Sequence, residues 1–95
     1  MALRTGIKTV TSAGTRVQLS STWAHCTELA VTALDTNTDA VVIGDINVVA
    51  TAATRRGLSL GAGQTEYLKN VNLTSVYVDS VVSGEGVSFA ATGEM

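Results

Sequence analysis

The 95-residue chain has no proline, a single cysteine (Cys26), a single histidine (His25) and few aromatic residues, 4% in all. Each shortage excludes something. Without proline, turns must come from Gly, Asn, Asp and Ser, which close tight bends by positive φ or by their own side chains. One cysteine cannot form an intramolecular disulfide, so the usual staple of small secreted domains is missing. Charged residues reach only 15%, against about 25% in an average soluble domain. The formal net charge is −2. The cations Arg4, Lys8, Arg16, Arg55, Arg56 and Lys69 are scattered, and only Arg55 and Arg56 are adjacent. No basic stripe exists to neutralise phosphates, so nucleic acid is not an expected partner.

Long apolar runs are also missing. Stretches such as Ala40-Val41-Val42-Ile43 fall far short of the roughly 18–20 residues of a membrane-spanning helix, so no membrane partner is expected. The first ten residues carry Arg4 and Lys8 and hold no apolar run of about 7–15 residues, unlike a secretory signal. The expected place of synthesis and folding is a reducing cytoplasm.

What the chain does have is 45% hydrophobic residues and a mean hydropathy of +0.29. Disorder needs low hydrophobicity and high net charge, and this chain has neither. Val and Thr recur throughout, and both are stiff at χ1 and suited to a pleated surface. Val17 and Leu19 alternate with Arg16 and Gln18, and Leu29, Val31 and Ala33 alternate with Glu28, Ala30 and Thr32. Val76 and Val78 alternate with Tyr77 and Asp79, in a strand expected to run towards Val82. Val87, Phe89 and Ala91 follow the same rule. A period of two marks half-buried strands.

Val41-Val42-Ile43 is apolar on both faces, as a central strand would be. Gly44-Asp45 then reads as a hairpin turn or as a bulge, with Ile46, Val48 and Ala50 alternating beyond it. Tyr67 and Tyr77 are expected to be partly buried sheet residues. No stretch shows sustained helical spacing. The expected fold is all-β: a small antiparallel β-sandwich or barrel of about seven to nine short strands. Residues 1–14 are expected to form an N-terminal arm or first strand, and residues 15–95 a single β-sandwich domain.

Catalysis requires groups within hydrogen-bond reach of one another. His25 and Cys26 are neighbours, but neighbours on an extended strand point to opposite faces. With one His and one Cys, a zinc site within the chain is not expected. Asp35-Thr36-Asn37-Thr38-Asp39 matches the first half of a calcium loop. The match fails where Ala40 stands for the sharp-turn glycine and Ile46 for the closing acid, which leaves a polar turn. Gly61-Ala62-Gly63 lacks the third glycine and the helix of a phosphate loop, and reads as a turn. Asn72-Leu73-Thr74 fits a glycosylation acceptor, which carries little meaning without a secretion signal. No catalytic residue, metal or cofactor is therefore expected, and the chain is not expected to be an enzyme.

The residues of interest for contacts are Leu3, Arg4 and Ile7 near the start, Trp23, and the pair Arg55 and Arg56. Residues 3–10 can add a strand to a neighbour's sheet edge. Trp23 either caps the core or anchors an interface. Arg55 and Arg56 either lie solvated in a loop or pair with acidic groups on a partner.

Four stretches carry a resemblance: Val41-Val42-Ile43-Gly44-Asp45, Gly57-Leu58-Ser59-Leu60-Gly61-Ala62-Gly63-Gln64, Val71-Asn72-Leu73-Thr74-Ser75-Val76-Tyr77-Val78-Asp79 and Val82-Ser83-Gly84-Glu85-Gly86-Val87-Ser88-Phe89. Together with Val17-Gln18-Leu19-Ser20 and residues 26–37, they resemble small virion proteins of tailed bacteriophages. The resemblance spans residues 15–91 and rests on turn-and-strand patterns. It implies a β-sandwich of the capsid decoration or cement type. Such a protein binds the major capsid protein or other virion proteins on the capsid surface, with a homotrimer as the favoured oligomer. A tail, head-tail connector or head-fibre component is the alternative. A carbohydrate-binding module is an alternative of another class, though sugar platforms ordinarily use several exposed aromatics.

Overall fold

A computed structural model describes residues 2–21 and 25–93. Among the described residues the fold is an antiparallel β-sandwich of eight strands, all-β as the alternation predicts. The strands are β1 (Ala2–Thr9), β2 (Val17–Gln18), β3 (His25–Ala33), β4 (Val41–Gly44), β5 (Leu58–Leu60), β6 (Thr65–Asn72), β7 (Tyr77–Ser80) and β8 (Gly86–Gly93). Two short 3-10 turns, Ala52–Thr54 and Leu73–Ser75, lie between them. Sheet A has the order β1-β8-β3-β6, and sheet B the order β2-β7-β4-β5. Every link between consecutive strands crosses from one sheet to the other except β4 to β5. The chain thereby laces the two layers together.

The period-two patterns fill the space between the sheets. Leu29, Val31 and Ala33 of β3 stand opposite Ala91, Phe89 and Val87 of β8, and all six are buried. From sheet B, Val41, Ile43, Leu60 and Val78 meet them, joined by Val76 just before β7, with Leu19 and the partly buried Val17 closing one side. In β3 the alternation slips once. Cys26 and Leu29 are both buried, while Thr27 and Glu28 between them are exposed. Gly93 packs against this slip, where a Cβ would stand 2.7 Å from the His25 carbonyl oxygen. The partner strand bends at the matching place, with Asn70 at φ 54°.

β4 is apolar on both faces because both faces are covered. Val41 and Ile43 face the main core. Val42 faces outward and is sealed by Val48 and Ala50, with Tyr77 packed alongside. The cover is the loop of residues 45–57. Its start is a turn, in which the Asp45 carboxylate accepts from Asn47 N–H at 2.9 Å and its carbonyl from Val48 N–H at 3.1 Å. Residues 46–50 therefore do not extend β4 as an alternating strand. They fold back over sheet B, joined to the rest of the loop by paired backbone bonds between Val49 and Arg56. β7 likewise stops at Ser80. Val81 and Val82 lie in the next turn and are exposed.

Two acidic side chains hold the loops in place of proline or disulfides. Asp79 is buried; one carboxylate oxygen accepts from Gly14 N–H (3.1 Å) and Ser80 N–H (2.9 Å), the other from Ala50 N–H (2.9 Å). It ties the loops of residues 11–16 and 45–57 to sheet B. Glu85 caps the turn of residues 35–40, accepting from the Thr38 N–H, the Thr38 hydroxyl (2.9 Å) and Asp39 N–H (3.2 Å). Asn37 completes this corner. Its amide donates to the Gly86 carbonyl at 2.9 Å and accepts from Gly86 N–H at 3.3 Å. The calcium-like spacing is therefore a turn whose central side chain points inward to the protein.

Two outcomes follow. Asp79→Ala leaves buried backbone donors unpaired and is expected to cost about 3 kcal/mol. In thermal unfolding that is a drop of about 15 °C for a domain of this size. For Glu85, the Thr38 backbone donor above all lowers the carboxyl below its ordinary value of 4.5. A depressed folded-state value means the stabilisation is complete above about pH 4.5 and is lost as pH falls through that lower value. Urea midpoints from pH 7 to 3 should show Glu85→Gln less stable at neutral pH, with a flatter acid limb than the parent.

Candidate docking face

The two sheets differ in what covers them. The outer face of sheet B lies under the loop of residues 45–57, whereas the outer face of sheet A is open to solvent. Register identifies the residues that share that open face. Leu3, Thr5 and Ile7 of β1 stand opposite Thr92, Ala90 and Ser88 of β8. These in turn face Glu28, Ala30 and Thr32 of β3, and then Lys69, Tyr67 and Thr65 of β6.

The face has an unusual composition. Among the described residues its only charged side chains are Glu28 and Lys69, which are opposite each other in register at one end. Its floor is Ala30, Ala90 and Ser88, small and half-buried. Its rims are large and apolar: Leu3 is 69% exposed, Ile7 68% and Tyr67 66%. Thr5 and Ile7 wall a shallow trough along the β1 side. On the β6 side the hydroxyls of Thr32 and Thr65 are 2.7 Å apart and hydrogen-bonded. Tyr67 is thus an exposed side chain, not the partly buried one expected. It falls on the opposite face of β6 from Leu68, which packs on the core.

Of the residues singled out from sequence, Leu3 and Ile7 lie on this face. They belong to a strand paired with β8 along its whole length. Arg4 is on the same strand but on the inner face, opposite the buried Ala91. Trp23 lies outside the described residues. Arg55 is directed at its own loop, donating from Nε and Nη2 to the Ala50 carbonyl at 3.1 and 2.9 Å. Arg56 is exposed on that loop, far along the chain from the open face. Sequence reasoning missed Ala30, Ala90 and Tyr67 as members of one surface. Only the strand order β1-β8-β3-β6 brings them together, and that order is not written in any local pattern.

His25 and Cys26 do point apart: His25 is exposed and Cys26 fully buried. Burial raises the Cys26 thiol above its ordinary value, and the nearby Arg4 charge offsets this only in part. A buried, protonated thiol is a poor nucleophile and a poor metal ligand. No three or more His, Cys, Asp or Glu side chains gather to hold a metal ion among the described residues. Asp79 and Glu85, the two buried acids, have their oxygens committed to backbone donors. What the outer face of sheet A presents to solvent is shape and exposed apolar area, with Leu3, Ile7 and Tyr67 as its large side chains. No protein family, no curated protein and no solved structure matches this chain.

Proposed function

We propose that this domain is a structural virion protein of a tailed bacteriophage, of the capsid decoration or cement type, and that it docks through the outer face of sheet A. One observation carries the docking part: an uncovered sheet face with a small uncharged floor and three large exposed rims, Leu3, Ile7 and Tyr67. Apolar surface gathered in one place marks an interaction site more often than scattered apolar residues do. The virion setting rests on the sequence resemblance alone.

The size of the face favours a repetitive partner. Four strands about 4.8 Å apart and about seven residues long cover roughly 400 Å². A stable one-to-one interface buries about 800 Å² on each partner. A single contact through this face is therefore weak. On a lattice of identical sites, linked copies reinforce one another by avidity, which suits an oligomer such as a trimer. The low charge and buried acids fit a domain that binds without catalysis.

The test is co-sedimentation of the purified chain with capsids that lack it. The parent chain is expected to saturate the capsid at a fixed ratio. Ile7→Lys with Tyr67→Lys should lower occupancy about tenfold or more, with an unchanged circular dichroism spectrum. Cryo-electron microscopy of native particles should place the chain on the outer capsid surface. Density at the tail, the connector or a fibre would move the proposal to that component, and absence of the chain from particles would end it.

A further inference from the structure

Sheet A ends at β1, and no strand covers the outer edge of β1 among the described residues. β1 pairs with β8 along eight residues on one side. On its other side the backbone donors and acceptors have no backbone partner among the described residues. Sheet B, by contrast, ends in strands of only two and three residues. A long open edge is a template for another strand, and proteins ordinarily blunt such edges.

The two faces of this edge carry different chemistry. Leu3, Thr5 and Ile7 point to the outer face, and Arg4, Gly6 and Lys8 to the inner one, opposite Ala91, Phe89 and Val87. Arg4 and Lys8 are half-buried beside the core. Neither side chain has an ion-pair or hydrogen-bond partner among the described residues. They therefore stand as two uncompensated positive charges, four residues apart, on one face of an open strand.

This pattern discriminates between occupants. A second copy of β1 added antiparallel would keep its inner face inward. Arg4 would then lie opposite the copy's Lys8 or its Arg4, or opposite its Gly6 with both of the copy's cations diagonal to it. Like charges at such positions repel. An added strand with acidic residues opposite Arg4 and Lys8 gains at the same places.

We propose that the free edge of β1 is a binding site for an extended segment of a partner protein, added as an antiparallel strand. On one face of that segment acidic residues flank a small residue and meet Lys8, Gly6 and Arg4. β-Branched residues on its other face, such as Val and Thr, meet Ile7, Thr5 and Leu3. Main-chain hydrogen bonds supply affinity, and the charge pattern supplies selectivity. This site is built on the edge of the sheet and shares with the docking face only the β1 side chains Leu3, Thr5 and Ile7.

The experiment titrates the full ¹⁵N-labelled chain with the end-blocked peptide Thr-Glu-Val-Ser-Val-Glu-Thr and with its analogue carrying Lys for Glu. The acidic peptide is expected to move the β1 amide resonances saturably and to slow their hydrogen exchange. It should bind about tenfold tighter than the basic one, the sum expected from two charge pairs changing sign. The Arg4→Glu/Lys8→Glu double variant should reverse that preference, which a misfolded chain cannot do. Tyr67→Lys, at the far rim of the docking face, should leave peptide affinity unchanged, so the two proposals fail separately. No saturable shift up to about 1 mM acidic peptide, or equal binding of both peptides, overturns the proposal. So does slowing of β1 exchange by raised protein concentration alone, since a second copy would then be the occupant.

Discussion

The contact between Phe89 and Gly6 sets much of this molecule. Phe89 is the only phenylalanine in the chain, and its ring lies over Gly6 so closely that a Cβ there would stand 2.7 Å from Cζ. The ring fills the space that inward side chains of β1 would otherwise occupy. The inner face of β1 can then carry glycine flanked by Arg4 and Lys8 instead of a row of apolar residues. Its apolar side chains, Leu3 and Ile7, fall on the outer face. A slip of one residue between β1 and β8 would turn Leu3 and Ile7 inward, against a site already filled, and set both cations in solvent. The exposure of Leu3 and Ile7 is thus a consequence of register.

The loops are held by a second device. With neither proline nor a disulfide, the chain fixes its turns through side chains that act on backbone groups. Asp79 joins two loops to sheet B, Glu85 and Asn37 lock the corner before β8, and Gln64 accepts from Gly61 N–H at 2.7 Å across the turn between β5 and β6. Arg55 does the same for the loop over sheet B. These polar groups satisfy main-chain donors and acceptors that the loops would otherwise leave unpaired. The calcium-like stretch of residues 35–39 folds as a turn closed by Asn37 and Glu85, and Gly61-Ala62-Gly63 as a turn closed by Gln64. Short polar residues and glycine at fixed spacing serve turns as well as ligands.

Much of the sandwich was legible in the sequence, for a definite reason. Alternation reports which side chains share a face, and for Leu29, Val31 and Ala33 and for Val87 and Phe89 the apolar set is also the buried set. Alternation fails where it must decide which face is inside or whether a strand continues. Residues 46–50 alternate, yet they fold back as a cover for Val42. Val81 and Val82 are strand formers placed in a turn. Tyr67 alternates with Leu68 in a strand whose outer face is open, and nothing local marks that face as uncovered. The candidate face was half legible, through Leu3 and Ile7. Its other half depends on strand order, which arises from contacts between residues as distant as Ala30 and Ala90.

Face and edge meet on one strand, and β1 contributes to both without conflict because period two separates them. Leu3 and Ile7 project perpendicular to the sheet, where a flat surface can cover them. The free backbone groups project within the sheet plane, where only an extended chain can reach them. Arg4 and Lys8, on the inner side, touch neither the face nor its partner, yet they govern what reaches the edge. Inward charges on an edge strand are a known guard against unwanted pairing between copies. Here the guard is one-signed, so it repels only strands of like charge. An edge that refuses its own kind while remaining open to an acidic chain is what a domain needs if many copies are to sit side by side without fusing into one continuous sheet.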